Sequence, residues 1–399
     1  MRVQSNPPVH LTYCLNVHRG ETWAENFDAI REYALDVRDR VGHSGPFGLG
    51  LRLSRQAADE LIHPREIAEF RKFLDLEDLY VFTINGFAYG RFHGTAVKRD
   101  VYAPDWRNDE RMQYTVTLAR ILSQLLPAGV NGSISTVPLS YKGWISGEAD
   151  IRRMVRMLAD AALELHLLAT PEQHIALALE PEPDCFIENT AELVAFFARH
   201  TGQAVEYMHK ERGMPEEMAA WIWRRHVGVC LDTAHAAVEF EDPARSLEQI
   251  QDAGVTVAKV QLSAALRVRS TPEAMVRLGQ FADDTYLHQV KARKRHDGLA
   301  SFADLPDALA AGPEGFEEMR VHYHVPLFFE AHEALESSAG MLKGKFADAL
   351  SSGACGHVEI ETYTFSVLPD FLRPADIRDG IAREFDWVMT NVFGSAATG

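Results

Sequence analysis

Cysteine is scarce in this chain: four among 399 residues, at positions 14, 185, 230 and 355, with no C-x-x-C pair. That scatter excludes a disulfide scaffold and a cysteine-rich zinc module. Cys14 and Cys230 fall inside predicted strands, so packing in a reducing cytoplasm is expected of them. Long apolar runs are missing too; none approaches the roughly 18 residues of a membrane span. The opening residues, Met1 to Pro8, lack the apolar core of a signal peptide, and the expected location is cytoplasmic. No G-x-G-x-x-G follows a predicted strand and no G-x-x-x-x-G-K-[ST] occurs, which removes the main motif support for a dinucleotide or nucleoside-triphosphate site. Positive charge is in deficit, with 40 Lys and Arg against 57 Asp and Glu, a formal net charge of −17. That balance disfavours nucleic acid and an anionic membrane surface as partners. A small anionic substrate stays compatible, because local basic residues can offset the overall field.

What the chain does have is apolar sequence, 46% of its residues, enough for a large core. Short apolar runs alternate with amphipathic stretches, and no repeat, low-complexity tract or linker divides them. The spacing predicts strands at Leu11–Val17, Phe47–Leu53, Leu79–Ile84, Gly132–Val137, Ile175–Leu179, Val227–Leu231, Val255–Leu262 and His357–Tyr363. Between them, Thr22-Trp23-Ala24-Glu25 and Asn189-Thr190-Ala191-Glu192 read as capping boxes, and Ser54 as a helix cap. Eight strand–helix units favour a single α/β domain, a closed (β/α)8 TIM barrel of parallel strands, over an open sheet. The long stretch Ala264–Gly356, between strands seven and eight, reads as an insertion that shapes a lid or substrate wall. It holds the basic run Lys291–His296 and an apolar run, Val321–Phe328, that suits either an inserted strand or a barrel strand.

Several strands end on polar groups. Glu180 follows strand five, Asp232 and His235 follow strand six, Gln261 sits near the end of strand seven and Glu361 near the end of strand eight. Ionisable groups at the exits of buried strands are costly unless they share partners, which suggests one site at the carboxyl-end mouth. Glu180, Asp232, Gln261 and Glu361 make an oxygen-donor set for one divalent metal ion, Mn²⁺ or Mg²⁺, with Co²⁺ or Zn²⁺ once a histidine joins. Each residue also has a plainer reading. Glu180 could be a salt-bridge partner, Asp232 a helix cap, and His235 a rim histidine. Glu359 has the same strand parity as Glu361, and only the carboxyl-end position favours the latter. Candidates to bind substrate are His18, Arg52, Asn85, Tyr89, His93, His288 and His324; Arg52 could instead neutralise buried carboxylates, and Trp23 reads as packing.

Leu179-Glu180-Pro181 followed by Leu231-Asp232-Thr233-Ala234-His235 resembles the xylose isomerase-like TIM-barrel superfamily of sugar isomerases, ketose 3-epimerases and the endonuclease IV branch. In the epimerase branch, glutamates of strands five and eight, an aspartate of strand six and a histidine of strand seven hold one metal. The resemblance carries those roles to Glu180, Glu361 and Asp232. The strand-seven position is Gln261 here, so the amide oxygen serves, or His324 substitutes, or the metal is held weakly. A wider resemblance is to the EboE family of metabolite traffic proteins. It rests on Asn16-Val17-His18-Arg19-Gly20-Glu21-Thr22-Trp23, Gly50-Leu51-Arg52-Leu53-Ser54, Thr83-Ile84-Asn85-Gly86-Phe87-Ala88-Tyr89-Gly90, Ser133-Ile134-Ser135-Thr136-Val137-Pro138 and Glu359-Ile360-Glu361-Thr362-Tyr363. That family is encoded with a prenyltransferase-like and a sugar-cyclase-like protein, which implies a sugar-like or cyclitol-like substrate, free or phosphorylated, and partner enzymes of one pathway.

The expected reaction is isomerisation or epimerisation, with Glu180 and Glu361 moving a proton and His235 donating to a substrate oxygen. A hydride shift would use the same metal. Two other classes stay open. A metal-dependent phosphodiesterase of the endonuclease IV branch would need a histidine-rich, multi-metal site and a basic groove. A non-catalytic metabolite carrier would suit a degraded metal set.

Overall fold

The computed structural model describes residues 1–93 and 98–394. Eight parallel strands form the inner wall, labelled in barrel order β1 (Pro8–Tyr13), β2 (Phe47–Arg52), β3 (Leu79–Asn85), β4 (Gly132–Thr136), β5 (Ile175–Leu179), β6 (Val227–Asp232), β7 (Val257–Leu262) and β8 (His357–Ile360). Hydrogen bonding runs β1-β8-β7-β6-β5-β4-β3-β2. The last seam, between β1 and β2, is joined by a single bridge, Cys14 to Gly50. The reason is local. The N-terminal strand Arg2–Ser5 pairs antiparallel with β1 through Arg2–His10 and Ser5–Pro8, taking the edge that β2 would otherwise use. All eight predicted strands are present. Strand one ends at Tyr13 rather than Val17, because Leu15–Val17 turns as a short 3-10 helix.

Helices coat the barrel. Thr22 opens the first with a complete capping box, and Ser54 caps the next as expected. Asn189 keeps half of its box: it accepts from the Glu192 backbone, while the Glu192 carboxylate accepts from the backbone of Glu188. Trp23 packs on Phe27 and Phe70, as its place in a first helical turn suggested. Among the described residues no helix is long and apolar enough to cross a membrane.

Between β7 and β8 the chain builds a second sheet. Six strands, Ala264–Arg269, Val290–Lys294, Leu299–Phe302, Phe316–Val325, Ala331–His332 and Leu335–Ser337, pair antiparallel. Val321–Phe328 thus contributes to an inserted strand, and β8 pairs directly with β7 beneath the sheet. The sheet is anchored on the loops after β5 and β6. Lys291, from the basic run, is buried, with Nζ 3.1 Å from Glu239, 3.4 Å from Glu188 and 3.5 Å from Asp184. Arg320 donates to the Ala237 carbonyl at 2.7 Å and lies over the Phe240 ring.

Inside the barrel, Lys259 of β7 and Glu359 of β8 form a fully buried pair at 2.6 Å. The two glutamates of β8's run share a parity but not an environment: Glu359 stays in the barrel interior with a lysine, and Glu361 is one layer higher. Gly50 makes room for the pair, since a Cβ there would collide with Glu359 Oε1. A second buried acid, Glu384 of the C-terminal helix Ile377–Asn391, accepts from the Leu327 backbone at 3.0 Å and from Thr362 Oγ1 at 2.7 Å.

Two outcomes follow from these buried acids. Lys259→Met leaves Glu359 unpaired and should cost about 3–5 kcal/mol in urea unfolding. Lys259→Met combined with Glu359→Gln should recover most of that loss; a double variant as weak as the single one would show the pair is not the cause. Burial pushes the Glu384 carboxyl up from 4.5 to about 8. The folded state therefore holds a proton that the unfolded chain has released. The resulting stabilisation is whole below about pH 4.5 and is lost as pH rises to about 8. Glu384→Gln keeps an acceptor but cannot ionise. Its melting temperature should gain on the parent's steadily from pH 4.5 to pH 8.5, and a constant difference would refute the assignment.

Candidate metal centre

The polar strand exits meet at the carboxyl-end mouth. Glu180, Asp232, His235 and Glu361 are buried there, together with His322 and His324 of the inserted strand. Three overlapping triads each bring one ligand atom per residue within 4.8 Å of the others: Glu180–Asp232–His235, Asp232–His324–Glu361 and His235–His322–His324. The two histidines of the inserted strand come from a His-x-His, and the strand's register shifts between Val321 and His324, which re-aims the pair.

Each carboxylate is held by neutral or backbone donors. Asp232 Oδ1 accepts from the backbone N–H of Ala234 and His235 and from Ser263 Oγ, at 2.8, 3.0 and 2.7 Å. Asp232 is therefore the helix cap of its plainer reading as well, while its Oδ2 is buried without a partner. Glu361 Oε1 accepts from Asn16 Nδ2 at 2.8 Å and Asn85 Nδ2 at 3.1 Å. Glu180 meets Gln261: with the amide nitrogen turned toward it, Gln261 donates at 3.0 and 3.2 Å, and its oxygen accepts from Asn85 at 3.2 Å. Gln261 in this orientation steers Glu180 and has its own oxygen engaged.

The histidines share one arrangement. His235 Nδ1 lies 2.9 Å from the Pro181 carbonyl, His322 Nδ1 2.8 Å from Gln289 Oε1, and His324 Nδ1 2.8 Å from the Glu361 carbonyl. Oxygen acceptors there fix the proton on Nδ1, so in each neutral ring Nε2 carries a bare lone pair. The Nε2 atoms of His322 and His324 are buried and unpartnered. Gln289 is held in turn by donating to Tyr102 Oη, which donates to Glu182.

Electrostatics follow from burial. Glu180 is pushed up to about 8 by desolvation, with Asp232 adding to the rise. Glu361 is pushed well above the usual carboxylate range by desolvation, then by Glu180 and Asp232. Burial works to raise Asp232 as well, but His235, His324, the His235 backbone N–H and Ser263 outweigh it and hold it low. Burial lowers His324 to about 4 and His322 well below its ordinary value.

The pocket above this cluster contains about 620 Å³ of space between its walls, part of it open to solvent. Asn16, Asn85, Phe87, Tyr102, Glu182 and Tyr363 are among its walls. Arg52 borders it but is spent on structure, donating to Gly20 and Gly90 carbonyls and to Glu21. Of the other expected substrate contacts, Asn85 lines the pocket, His324 is buried among the carboxylates of the cluster, and four lie elsewhere. His18 is tied to Tyr13 and stacked on Tyr33. Tyr89 packs on Tyr114 beside a different surface cleft. His93 bonds the Asn16 carbonyl and Tyr286, one step behind the wall. His288 is buried between Asp283 and the His322 carbonyl, bracing the inserted strand. Burial works to lower His235, but Asp232, Glu182 and Glu180 outweigh it and hold the ring above its ordinary value, which suits the donating role expected of it. Sequence reasoning missed Asn16, Glu182 and His322, although Glu180-Pro181-Glu182 and His322-Tyr323-His324 are alternations that place both members on one face of an extended chain.

No protein-family model and no curated protein matches the chain. Among solved structures, it is similar to the IolI protein with a bound zinc atom, at 10% identity and TM-score 0.51, covering 98% of this chain and 100% of that one. It is similar to the same degree, 10% and 0.51, to a xylose isomerase-like TIM-barrel protein from Mycobacterium smegmatis in complex with magnesium, covering 98% of each chain. These likenesses show the fold: the chain is a TIM barrel, similar to structures described as xylose isomerase-like.

Proposed function

We propose that this protein is a divalent-metal-dependent isomerase or epimerase of a sugar-like or cyclitol-like compound, free or phosphorylated. The observation that carries the reading is the convergence of Glu180, Asp232 and Glu361 with imidazole lone pairs in one buried mouth. Carboxylates gathered this closely repel one another, and Lys259 just below is already paired with Glu359. A buried Asp232 Oδ2 and two buried imidazole nitrogens without partners fit a divalent cation. Glu180, Asp232 and Glu361 would hold it, with His324 beside the last two and Gln261 orienting Glu180. Mn²⁺ or Mg²⁺ suits the oxygens, and Co²⁺ or Zn²⁺ suits the set with histidine. The metals printed for the two similar structures, zinc and magnesium, lie within that range. When bound, the ion would acidify a substrate carbon by polarising the adjacent oxygens.

The chain's own residues supply the rest. Glu361 Oε1 is occupied by two amide donors, which leaves Oε2 as the oxygen that takes or returns a proton. Glu180, entering from another strand, serves as the opposite base. Asn16 and Asn85 orient Glu361, and Phe87, Tyr102 and Tyr363 give a sugar ring apolar and hydroxyl contacts. The EboE resemblance adds the pathway setting, a metabolite handled together with partner enzymes. The inserted sheet acts as the wall or lid of the site, as part of one barrel domain spanning 1–399.

A second reading keeps one specific support. The overlapping triads are rich in histidine, as a phosphodiesterase of the endonuclease IV branch would require. The basic residues at the pocket work against it, since Arg52 pairs with Glu21 and Lys98 with Asp304.

Glu180→Gln and Glu361→Gln keep size but remove the base, so turnover should fall by at least about 10²-fold, typical of lost acid–base catalysis. Removing the metal with a chelator should abolish turnover, and adding it back should restore it. In D₂O, proton transfer places deuterium on the reacting carbon, whereas a hydride shift leaves it unlabelled. Metal-loaded protein that binds such metabolites with neither turnover nor exchange would instead mark a carrier.

A further inference from the structure

We infer that the mouth of this barrel holds two metal ions, the second bound by His235, His322 and His324. The inference rests on the metal-dependent reading above and extends it from one ion to two. The six convergent side chains divide by chemistry. Glu180, Asp232 and Glu361 offer oxygens, and the three histidines offer imidazole nitrogens that form a triad of their own within 4.8 Å. His322 belongs to that triad alone. A single ion among the carboxylates therefore leaves its buried Nε2 without a partner, a costly arrangement for a polar atom in the interior.

The orientation of the rings is the second observation. Each Nδ1 has an oxygen acceptor behind it, at 2.9 Å for His235, 2.8 Å for His322 and 2.8 Å for His324. Metal-ligating histidines regularly give their other N–H to a carbonyl or carboxylate in this way, which fixes the tautomer and aims the lone pair. The three ring centroids lie 4.5, 5.6 and 5.3 Å apart, and the rings approach edge-on or tilted, not stacked. Stacked imidazoles would read as packing; bare nitrogens brought together read as a ligand set. Three imidazoles with a fourth position open suit Zn²⁺. With His324 committed to that ion, the first keeps an all-carboxylate set that suits Mn²⁺ or Mg²⁺. Asp232 belongs to both mixed triads and so stands between the two positions.

The test uses the full chain, stripped with chelator and reloaded with Zn²⁺ alone or with Zn²⁺ and Mn²⁺ together. Bound metal is counted by mass spectrometry after gel filtration, and Co²⁺ substitution reports nitrogen ligation through its visible absorption. The parent should carry two equivalents, and His322→Ala one. Glu361→Gln should keep the zinc equivalent and the Co²⁺ band that His322→Ala loses. His322→Asn serves as a second variant, and near-UV circular dichroism checks that each variant is folded. A parent that takes up one equivalent, or a His322→Ala protein that keeps two, overturns the inference. The two levels separate cleanly. One equivalent with metal-dependent turnover leaves the isomerase reading standing without the second ion. Two equivalents without turnover leave the second ion standing without the isomerase.

Discussion

Mutual repulsion among buried carboxylates is the constraint around which this mouth is organised. Glu180, Asp232 and Glu361 leave three different strand ends and arrive in one desolvated space. Charge there is costly, and like charge beside it more so. The chain answers with amide and backbone donors rather than lysines or arginines. Gln261 serves Glu180, Asn16 and Asn85 serve Glu361, and two backbone N–H groups serve Asp232. Neutral donors orient a carboxylate without cancelling its field. A side-chain cation would have satisfied the same oxygens and cancelled that field.

One layer down the opposite choice is made. Glu359 has a lysine at 2.6 Å and is closed off inside the barrel. Two glutamates two residues apart on one strand thus have different fates, set by whether a cation reaches them. Strand parity could not separate them; their height along the barrel axis did.

Much of the architecture was legible because it depends on short-range pattern. Apolar runs of barrel length, capping residues and polar strand exits are all local, and they located every barrel strand and the carboxylates that converge at the mouth. What stayed hidden was long-range. His322 and His324 reach the mouth because Phe316–Val325 pairs with Ala264–Arg269 in an antiparallel sheet, and sequence spacing does not report that pairing. The basic run around Lys291 did not disclose its partners, and Lys291 is buried against carboxylates of two barrel loops. His18 and His288 looked like substrate contacts by residue type and were taken up by neighbours, Tyr13 and Tyr33 for one, Asp283 for the other. Gln261, a gap in a metal set by resemblance, is an orienting group by geometry.

The pairing of β8 directly onto β7 means that the inserted sheet leaves and rejoins the barrel at neighbouring strand ends. The barrel's hydrogen-bond ring does not include it. Closing a long excursion costs entropy that grows only slowly with its length, so what holds the sheet to the ring below is contact, through Lys291 and Arg320 above all. The mouth is thereby assembled from two sources: carboxylates and His235 at barrel strand ends, and His322 and His324 carried by the inserted sheet. Changing that sheet would alter the nitrogen atoms offered at the mouth while the carboxylates stayed where the strands put them, so the two halves of the cluster can vary independently.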